Sequence, residues 1–149
     1  MERTGASKGE VVPVVAVGGV VLAAGPKVLL VKRATPPMVG QWTLPGGRLL
    51  GGESIARAVE REVLEETGIR VAAGSLIEVI EIVTEGYHYV IHDHLCTPID
   101  ALQVPKAGDD AAEARYVRPS ELASLGVTEA VSRVVMRGLA MRQVLNEDE

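Results

Sequence analysis

Apolar residues fill the chain from Val11 to Pro26 and predict a buried β-strand over about Val11–Ala23. A second apolar run, KVLLVKR, follows an Ala-Gly-Pro turn, so a strand over Lys27–Lys32 should pair with the first as a hairpin. A signal peptide is the alternative interpretation of the first run. However, the four charged residues upstream of it sum to zero, and Pro13 and two glycines interrupt it, so the strand is favoured.

The second half of the chain is predicted to contain a helix, a long hairpin, a short strand and a closing helix. The first helix follows a loop at 33–52 and should end at Gly68, since glycine readily adopts the left-handed conformation that terminates helices. The hairpin should turn at Glu85-Gly86. The predicted bounds are Ser54–Thr67 for this helix, Ser75–Thr84 and Tyr87–Pro98 for the hairpin strands, Gly108–Glu113 for an acidic loop, Ala114–Val117 for the short strand, Ser120–Ser124 for a helical turn, and Thr128 (N-cap) to Leu145 for the closing helix, with Val131, Val134 and Val135 facing inward.

Strands and helices alternate without a regular βαβ rhythm, which favours a layered α+β or α/β/α domain. The pattern indicates one domain over 11–145, because no linker, repeat or low-complexity tract divides it. Met1–Glu10 is polar and is expected to be a flexible N-terminal segment, and Asn146–Glu149 is expected to be a loose acidic tail.

The composition and charge of the chain argue against some classes of function. The chain has 149 residues, a net charge of -5 and no Phe, so its core must be built from Val, Leu, Ile and Ala. A nucleic-acid or membrane-surface binder needs a basic face, and the acidic balance argues against both kinds of partner. A single cysteine, Cys96, forms no internal disulfide and makes a reducing cytoplasm the expected compartment.

Three glutamates on the first predicted helix are the most informative feature. Glu62, Glu65 and Glu66 fall within an arc of about 100° on a helical wheel, and like charges this close repel. A divalent cation would compensate them, because carboxylate oxygens are the ligands that Mg²⁺ prefers. A solvated acidic helix face is the alternative, but the Pro45-Gly46-Gly47 turn before the helix favours a site, since glycines permit close approach of the backbone to a ligand.

The stretch from Gly47 to Ile69 resembles the Nudix box at every motif position. The likeness extends to LLVKR at 29–33, GQWTLPGG at 40–47 and GDDAAEARYV at 108–117, and the chain is most similar to small bacterial members of the MutT and ADP-ribose pyrophosphatase type. The box positions are occupied here by Gly47, Glu53, Arg61, Glu62, Val63, Glu65, Glu66, Gly68 and Ile69.

This resemblance implies an α/β fold, a Nudix-type α/β/α sandwich around a mixed β-sheet, and an active site. By position, Glu62, Glu65 and Glu66 would be catalytic and would bind the metal together with the backbone carbonyl of Gly46. The metal is expected to be Mg²⁺, with Mn²⁺ as a substitute. The motif residues with a structural role would be Gly47, Glu53, Arg61 and Gly68, and Arg61 should donate a charge-assisted hydrogen bond to Glu53.

The resemblance leaves the general base and the substrate contacts open. The base would be Glu62 or an acid from the late loop, namely Asp109, Asp110 or Glu113. Arg33 is a candidate phosphate contact, with an ordinary surface charge as the alternative, and Tyr87 and Tyr89 are candidates for stacking on a base. His88, His92 and His94 alternate along one strand and are interpreted as partly exposed sheet residues rather than a second metal site.

By resemblance, the expected reaction is Mg²⁺-dependent hydrolysis of the pyrophosphate bond in a nucleoside diphosphate linked to another group. ADP-ribose, cleaved to AMP and ribose 5-phosphate, is the favoured substrate from overall likeness, although the proline that follows the box in one large group of ADP-ribose enzymes is absent. A MutT-type (d)NTP pyrophosphohydrolase and a non-catalytic nucleotide sensor are the alternatives. The expected partner is a small nucleotide, and a homodimer is left open.

Overall fold

The structure is a computed structural model that describes residues 11–147. Within these residues seven strands form a mixed sheet, and the two helices pack on its opposite faces, so the predicted α/β/α sandwich is confirmed. The elements are β1 (Val14–Ala23), β2 (Lys27–Arg33), β3 (Trp42–Thr43), β4 (Gly46–Arg48), α1 (Ile55–Thr67), β5 (Val71–Thr84), β6 (Tyr87–Pro98), β7 (Ala111–Val117), a 3₁₀ turn (Pro119–Glu121) and α2 (Glu129–Glu147).

Strand β1 lies at the centre of the sheet. It runs parallel to β6 and antiparallel to β4 and to the start of β2, which confirms the predicted hairpin between the first two strands. Its side chains alternate between the two faces: Val17 and Val21 pack under α1, whereas Val20 and Leu22 pack under α2. Both faces are therefore buried, which explains why this segment is almost continuously apolar.

Both helices begin as their sequences predict, and α1 also ends as predicted. The Ser54 hydroxyl accepts a hydrogen bond from the Arg57 N–H at 3.2 Å, and Gly68, with φ of 71°, ends α1 by donating its N–H to the Leu64 carbonyl. Thr128 caps α2 by accepting a hydrogen bond from the Val131 N–H at 3.2 Å. The predicted inward side of α2 is confirmed, because its three valines, Val131, Val134 and Val135, are all buried.

The long β5–β6 hairpin turns at Glu85 and Gly86, as predicted. Both residues have positive φ, 49° and 81°, which is the geometry of the tight turns that match the twist of paired strands. Strand β5 begins at Val71 rather than at Ser75, because its first residues pair with Thr97 and Pro98 beyond two register shifts. The predicted start was therefore four residues too late.

Two further predictions in the first half and at the chain end are corrected. The segment 33–52 is not simply a loop: β3 pairs with β2 and β4 pairs with β1, and these short strands depend on partners distant in sequence. Helix α2 continues to Glu147, two residues past its expected end, and Gln143 donates a hydrogen bond to the Glu147 carboxylate one turn later. The remaining two tail residues and Met1–Glu10 lie outside the described residues.

The core has two parts, one on each side of the sheet, and both consist almost entirely of aliphatic side chains. Ala58, Val59 and Val63 of α1 fill one part, and the α2 valines fill the other. Cys96 is fully buried between α1 and the sheet, where burial raises the pKa of its thiol to about 12. Between residues 11 and 147, no helix is both long and apolar enough to cross a membrane.

The core predicts a contrast between two identical substitutions. Leu30→Ala removes a fully buried side chain from β2 and should lower the free energy of unfolding by about 2–5 kcal/mol. Leu102→Ala, at a side chain that is 87% exposed, should change it by less than about 0.5 kcal/mol. Urea denaturation of the two variants measures both values. Similar losses in the two variants would contradict this assignment of the core.

Candidate active site

The segment Pro45–Gly47, called the glycine turn below, is a bend at Pro45 followed by the first two residues of β4 rather than the turn that the sequence suggested. It lies against the glutamate edge of α1. The Gly46 N–H donates a hydrogen bond to Glu66 Oε1 at 2.8 Å. A Cβ on Gly47 would overlap the Glu62 carboxylate, and a Cβ on Gly46 would overlap the Val17 carbonyl oxygen. Gly46 therefore requires glycine, because the clash is with backbone, whereas a side chain at Gly47 would displace the Glu62 carboxylate. The glycine turn and the glutamates thus form one unit.

Arg61 holds the acidic groups around it in place. Its guanidinium donates two hydrogen bonds to Glu53, at 2.6 and 3.0 Å, so the predicted charge-assisted bond is present and is bidentate. Its Nη1 donates to Glu62 Oε1 at 2.6 Å and to Glu65 Oε2 at 3.2 Å, and its Nη2 also reaches the Arg48 carbonyl at 3.0 Å. The Arg61 side chain therefore joins three parts of the chain: β4, the loop that contains Glu53, and α1.

The ion pair between Arg61 and Glu53 shifts both groups towards their charged forms. Hydrogen bonding to Glu53 raises the pKa of Arg61 despite partial burial, and hydrogen bonding from Arg61 lowers the pKa of Glu53. The structural role predicted for these two residues is consistent with this geometry, because the pair fixes the loop before α1 to the helix.

Glu62 and Glu66 have the opposite electrostatic character. Burial is the main cause that raises the pKa of Glu66 to about 7, and the negative charges of Glu62 and Asp110 add to it. Burial likewise raises the pKa of Glu62, against the opposing effect of Arg61. Two carboxylates are thus held where negative charge is poorly solvated, which favours an additional positive charge at this place.

The late acidic loop lies beside α1 although it follows the box by some forty residues in sequence. The N–H groups of Lys106 and Gly108 donate hydrogen bonds to the carbonyls of Thr67 and Glu66, at 2.8 and 2.9 Å. These carbonyls belong to the last turn of the helix and have no partner within it. Asp110, at a φ of 64°, lies close enough to Glu66 to raise its pKa, so the loop brings a further carboxylate to the site.

Glu113 is placed differently from the prediction. Strand β7 begins at Ala111, three residues before its expected start, so Glu113 belongs to the strand and not to the acidic loop. It is the register partner of Lys32 on β2, and their side chains form an ion pair at 3.7 Å. The boundary was missed because Ala and Glu are uncommon in strands, and it is the pairing of β7 with β2 that places Ala111–Glu113 in one.

A cavity of about 130 Å³ extends from the glycine turn along the α2 face of the sheet. Tyr89, Ile91 and Asp93, alternate residues of β6, line it together with Arg33 and Arg48. Of the predicted substrate contacts, Arg33 and Tyr89 therefore lie at the cavity. Tyr87 is outside its lining and stacks on Tyr89 instead, with ring centroids 5.7 Å apart.

Arg33 is held by a neighbouring loop. It donates hydrogen bonds to the carbonyls of Pro37 and Pro36, at 2.5 and 3.3 Å, and its charge lowers the pKa of Glu66. The guanidinium is thus fixed in orientation near the glutamates, which suits a group that contacts an anionic ligand.

The residues present fit a divalent cation by their chemistry. The carboxylates of Glu62, Glu65 and Glu66 and the backbone carbonyl of Gly46 are hard oxygen donors, and burial raises the pKa of Glu62 and of Glu66. In the present arrangement, no three acidic, histidine or cysteine side chains among residues 11–147 converge on one point. The reason is that Arg61 holds Glu62 and Glu65 while Gly46 holds Glu66, so a cation would compete with these partners.

The three histidines of β6 are all half-buried, as the sequence suggested, and they do not converge on a metal site within the described residues. His88 contacts Glu81 at 3.1 Å and His94 contacts the Gly74 carbonyl at 2.9 Å. Sequence reasoning missed Asp93, which lies on the opposite face of the same strand. The one feature of the sequence that could have indicated Asp93 was the presence of a carboxylate inside a predicted strand, next to positions expected to be buried.

Comparison with known families identifies the same region. The model of the NUDIX domain matches residues 12–138. An ADP-ribose pyrophosphatase from Methanocaldococcus jannaschii is 37% identical over 120 residues, which cover 76% of this chain and 66% of that protein. A MutT-like protein from Streptomyces ambofaciens is 32% identical over 108 residues, covering 72% and 66%. The chain thus matches just under two thirds of the length of these relatives.

Solved structures share the fold. A NUDIX hydrolase from Nitrosomonas europaea superposes with a TM-score of 0.73 at 25% sequence identity, over 87% of this chain and 90% of that one.

Arg61 predicts a measurable difference between two arginines of α1. Arg61→Lys should lower the midpoint of thermal unfolding by a few degrees, because a compact ammonium cannot bond Glu53, Glu62 and the Arg48 carbonyl together. Arg57→Lys is the matched control, since Arg57 is exposed on the same helix and should show no change. Equal midpoints for the two variants would contradict the central role of Arg61.

Proposed function

Because the chain belongs to the Nudix family, we propose that it hydrolyses the pyrophosphate bond of a nucleoside diphosphate linked to another group, with ADP-ribose as its substrate. The observation that carries this proposal is the unit of glycine turn and glutamates: Glu66 accepts a hydrogen bond from the Gly46 N–H, a Cβ on Gly47 would overlap the Glu62 carboxylate, and both glycines line the cavity. The 37% identity with an ADP-ribose pyrophosphatase supports this choice of substrate.

Nudix hydrolases use a divalent metal ion, and Mg²⁺ is proposed for this chain, with Mn²⁺ as a substitute. Glu62, Glu65, Glu66 and the Gly46 carbonyl would hold it. When bound, such an ion neutralises the pyrophosphate oxygens and lowers the pKa of a water molecule.

The reaction itself is an in-line displacement at phosphorus. The oxygen of water forms the new bond, the bridging oxygen–phosphorus bond breaks, and the leaving phosphate keeps the electron pair. A carboxylate accepts the proton from water, and Asp110 and Glu62 are the two candidates near Glu66. Arg33, fixed by its two proline carbonyls, would contact the phosphates from the cavity side.

A second candidate is a nucleoside triphosphate, as in enzymes of MutT type. The observation that favours it is the 32% identity with a MutT-like protein over nearly the same share of the chain. The two candidates differ in what lies beyond the second phosphate, a ribose or a third phosphate, whereas the glutamate site would act on either.

The test is a substrate panel with purified protein and Mg²⁺. We expect ADP-ribose to give a higher kcat/KM than any dNTP, including 8-oxo-dGTP, with AMP and ribose 5-phosphate as products. A triphosphate that exceeds ADP-ribose tenfold, which corresponds to about 1.4 kcal/mol of transition-state binding, would reverse the order of the two candidates.

The panel includes two matched variants of α1. Glu66→Gln should lose most activity and keep its fold, because a neutral amide replaces an anionic metal ligand. Glu60→Gln is the control, since Glu60 accepts a hydrogen bond from the Ala73 N–H and a glutamine oxygen still accepts it. Full activity of Glu66→Gln, or of the wild type in EDTA, would contradict the metal site.

The acidic loop provides a separate prediction about Asp110 and Glu113. Asp110→Ala should lower kcat by about 100-fold or more, because it removes a carboxylate beside Glu66 that acts on the attacking water. Glu113→Ala should keep kcat within about twofold, as expected of a surface ion pair with Lys32. Steady-state kinetics of the two variants measures both values of kcat. Wild-type kcat in the Asp110 variant would exclude Asp110 and leave Glu62 and Asp109 as candidates for the base.

A further inference from the structure

Asp93 is a buried acid that the catalytic unit does not use. It is 4% exposed, lines the cavity, and lies between Gly18 on β1 and Glu78 on β5 in the sheet register. Among the described residues its carboxylate has no hydrogen-bond or ion-pair partner, whereas Glu78 beside it is paired with Arg133 and Arg137. An unpaired buried carboxylate is costly, so its retention in a cavity wall points to a ligand.

The backbone makes room for this carboxylate. A Cβ on Gly18 would overlap Asp93 Oδ1, so the absence of a side chain at Gly18 is what allows the acid to lie against β1. Gly18 is also the register partner of Gly46 in the glycine turn. The position of Asp93 is therefore fixed by the same strand that places the glutamate site.

The cavity lining carries charges of both signs. Arg33, whose charge acts on Glu66, and Arg48 offer cations to an anionic group. The walls are aliphatic, from Ile80, Ile82 and Ile91 on the sheet and Val131 on α2. The one acid in this lining is Asp93. A phosphorylated ligand with a flat, apolar ring system that carries a hydrogen-bond donor fits this set of groups.

We propose that Asp93 selects the nucleobase by accepting a hydrogen bond from an exocyclic amino group of the base. The inference rests on the proposed function for the identity of the ligand as a nucleotide, and it adds the residue that determines base specificity. A carboxylate offers only acceptors when ionised, so it pairs with N–H groups and disfavours carbonyl oxygens or ring nitrogens at the same place. Burial raises the pKa of Asp93 to about 7, so a donor that stabilises its ionised form is favoured there.

The test measures binding without catalysis. Nucleoside monophosphates are titrated into the full chain in EDTA, with dissociation constants measured by NMR chemical-shift changes. Two pairs of ligands differ in one amino group each: AMP and purine riboside 5′-monophosphate, and GMP and IMP. In at least one pair we expect the wild type to bind the amino-bearing member about tenfold more tightly, since a buried carboxylate left unpaired penalises the other member.

Three variants separate base selection from general packing. Asp93→Leu replaces the carboxylate with an apolar side chain and should abolish the preference within the pair, and Asp93→Ala should do the same if the leucine variant does not fold. Ile91→Val is the matched control in the cavity wall, two residues along the same strand face. It should weaken binding of both members of a pair equally and leave their ratio unchanged.

Three outcomes would overturn the proposal: no preference in either pair for the wild type, an unchanged preference in the Asp93 variants, or no binding of any of the four nucleotides. Hydrolysis assays distinguish this failure from failure of the proposed function. Hydrolysis by the wild type together with an unchanged preference in the variants would refute only the role of Asp93. A preference lost in the variants, without hydrolysis by the wild type, would refute only the enzymatic activity.

Discussion

The candidate active site depends on the hydrogen bonds and ion pairs of the Arg61 guanidinium. Glu62, Glu65 and Glu66 lie on one edge of α1, and without a positive charge they would destabilise the helix by mutual repulsion. Arg61 bonds two of them and also Glu53 and the Arg48 carbonyl, so it joins α1 to the chain on both sides of the loop before it. Glu66, which Arg61 does not bond, is held by the Gly46 N–H instead. The acidic edge is thus stable before any cation binds, and the partners that hold it are ones a cation can replace.

Much of the fold and of the candidate site could be predicted from the sequence because the relevant signals are local. The caps of α1 at Ser54 and Gly68, and the positive-φ turn at Glu85 and Gly86, each depend on the chemistry of two to four adjacent residues. Helical geometry alone predicts that Glu62, Glu65 and Glu66 share one edge of α1. The pairing of Arg61 with Glu53 was also predicted from the sequence. These features hold in the structure with the predicted residues in the predicted contacts.

The remaining features are set by contacts between residues distant in sequence. Strands β3 and β4 are two and three residues long, which is too short to show an alternation of apolar and polar residues. They form because β3 pairs with β2 and β4 pairs with β1. The start of β7, and with it the position of Glu113, depends on pairing with β2. The sequence of β6 alone does not show that Asp93 faces a cavity. The cavity is formed by residues from several elements, including β5 and α2, which are distant in sequence.

The two functional parts of the molecule share one strand. Gly18 of β1 has Gly46 of the glycine turn on one side and Asp93 of β6 on the other, and a side chain there would collide with the Asp93 carboxylate. The neighbouring Gly19 N–H bonds the Pro45 carbonyl at 3.0 Å, which fixes the glycine turn to the same strand. The distance between the glutamates and the cavity acid is therefore set by backbone pairing across three adjacent strands, not by mobile loops. A rigid spacing of this kind suits a ligand that contacts both groups at once, because the protein need not reorganise to reach either one.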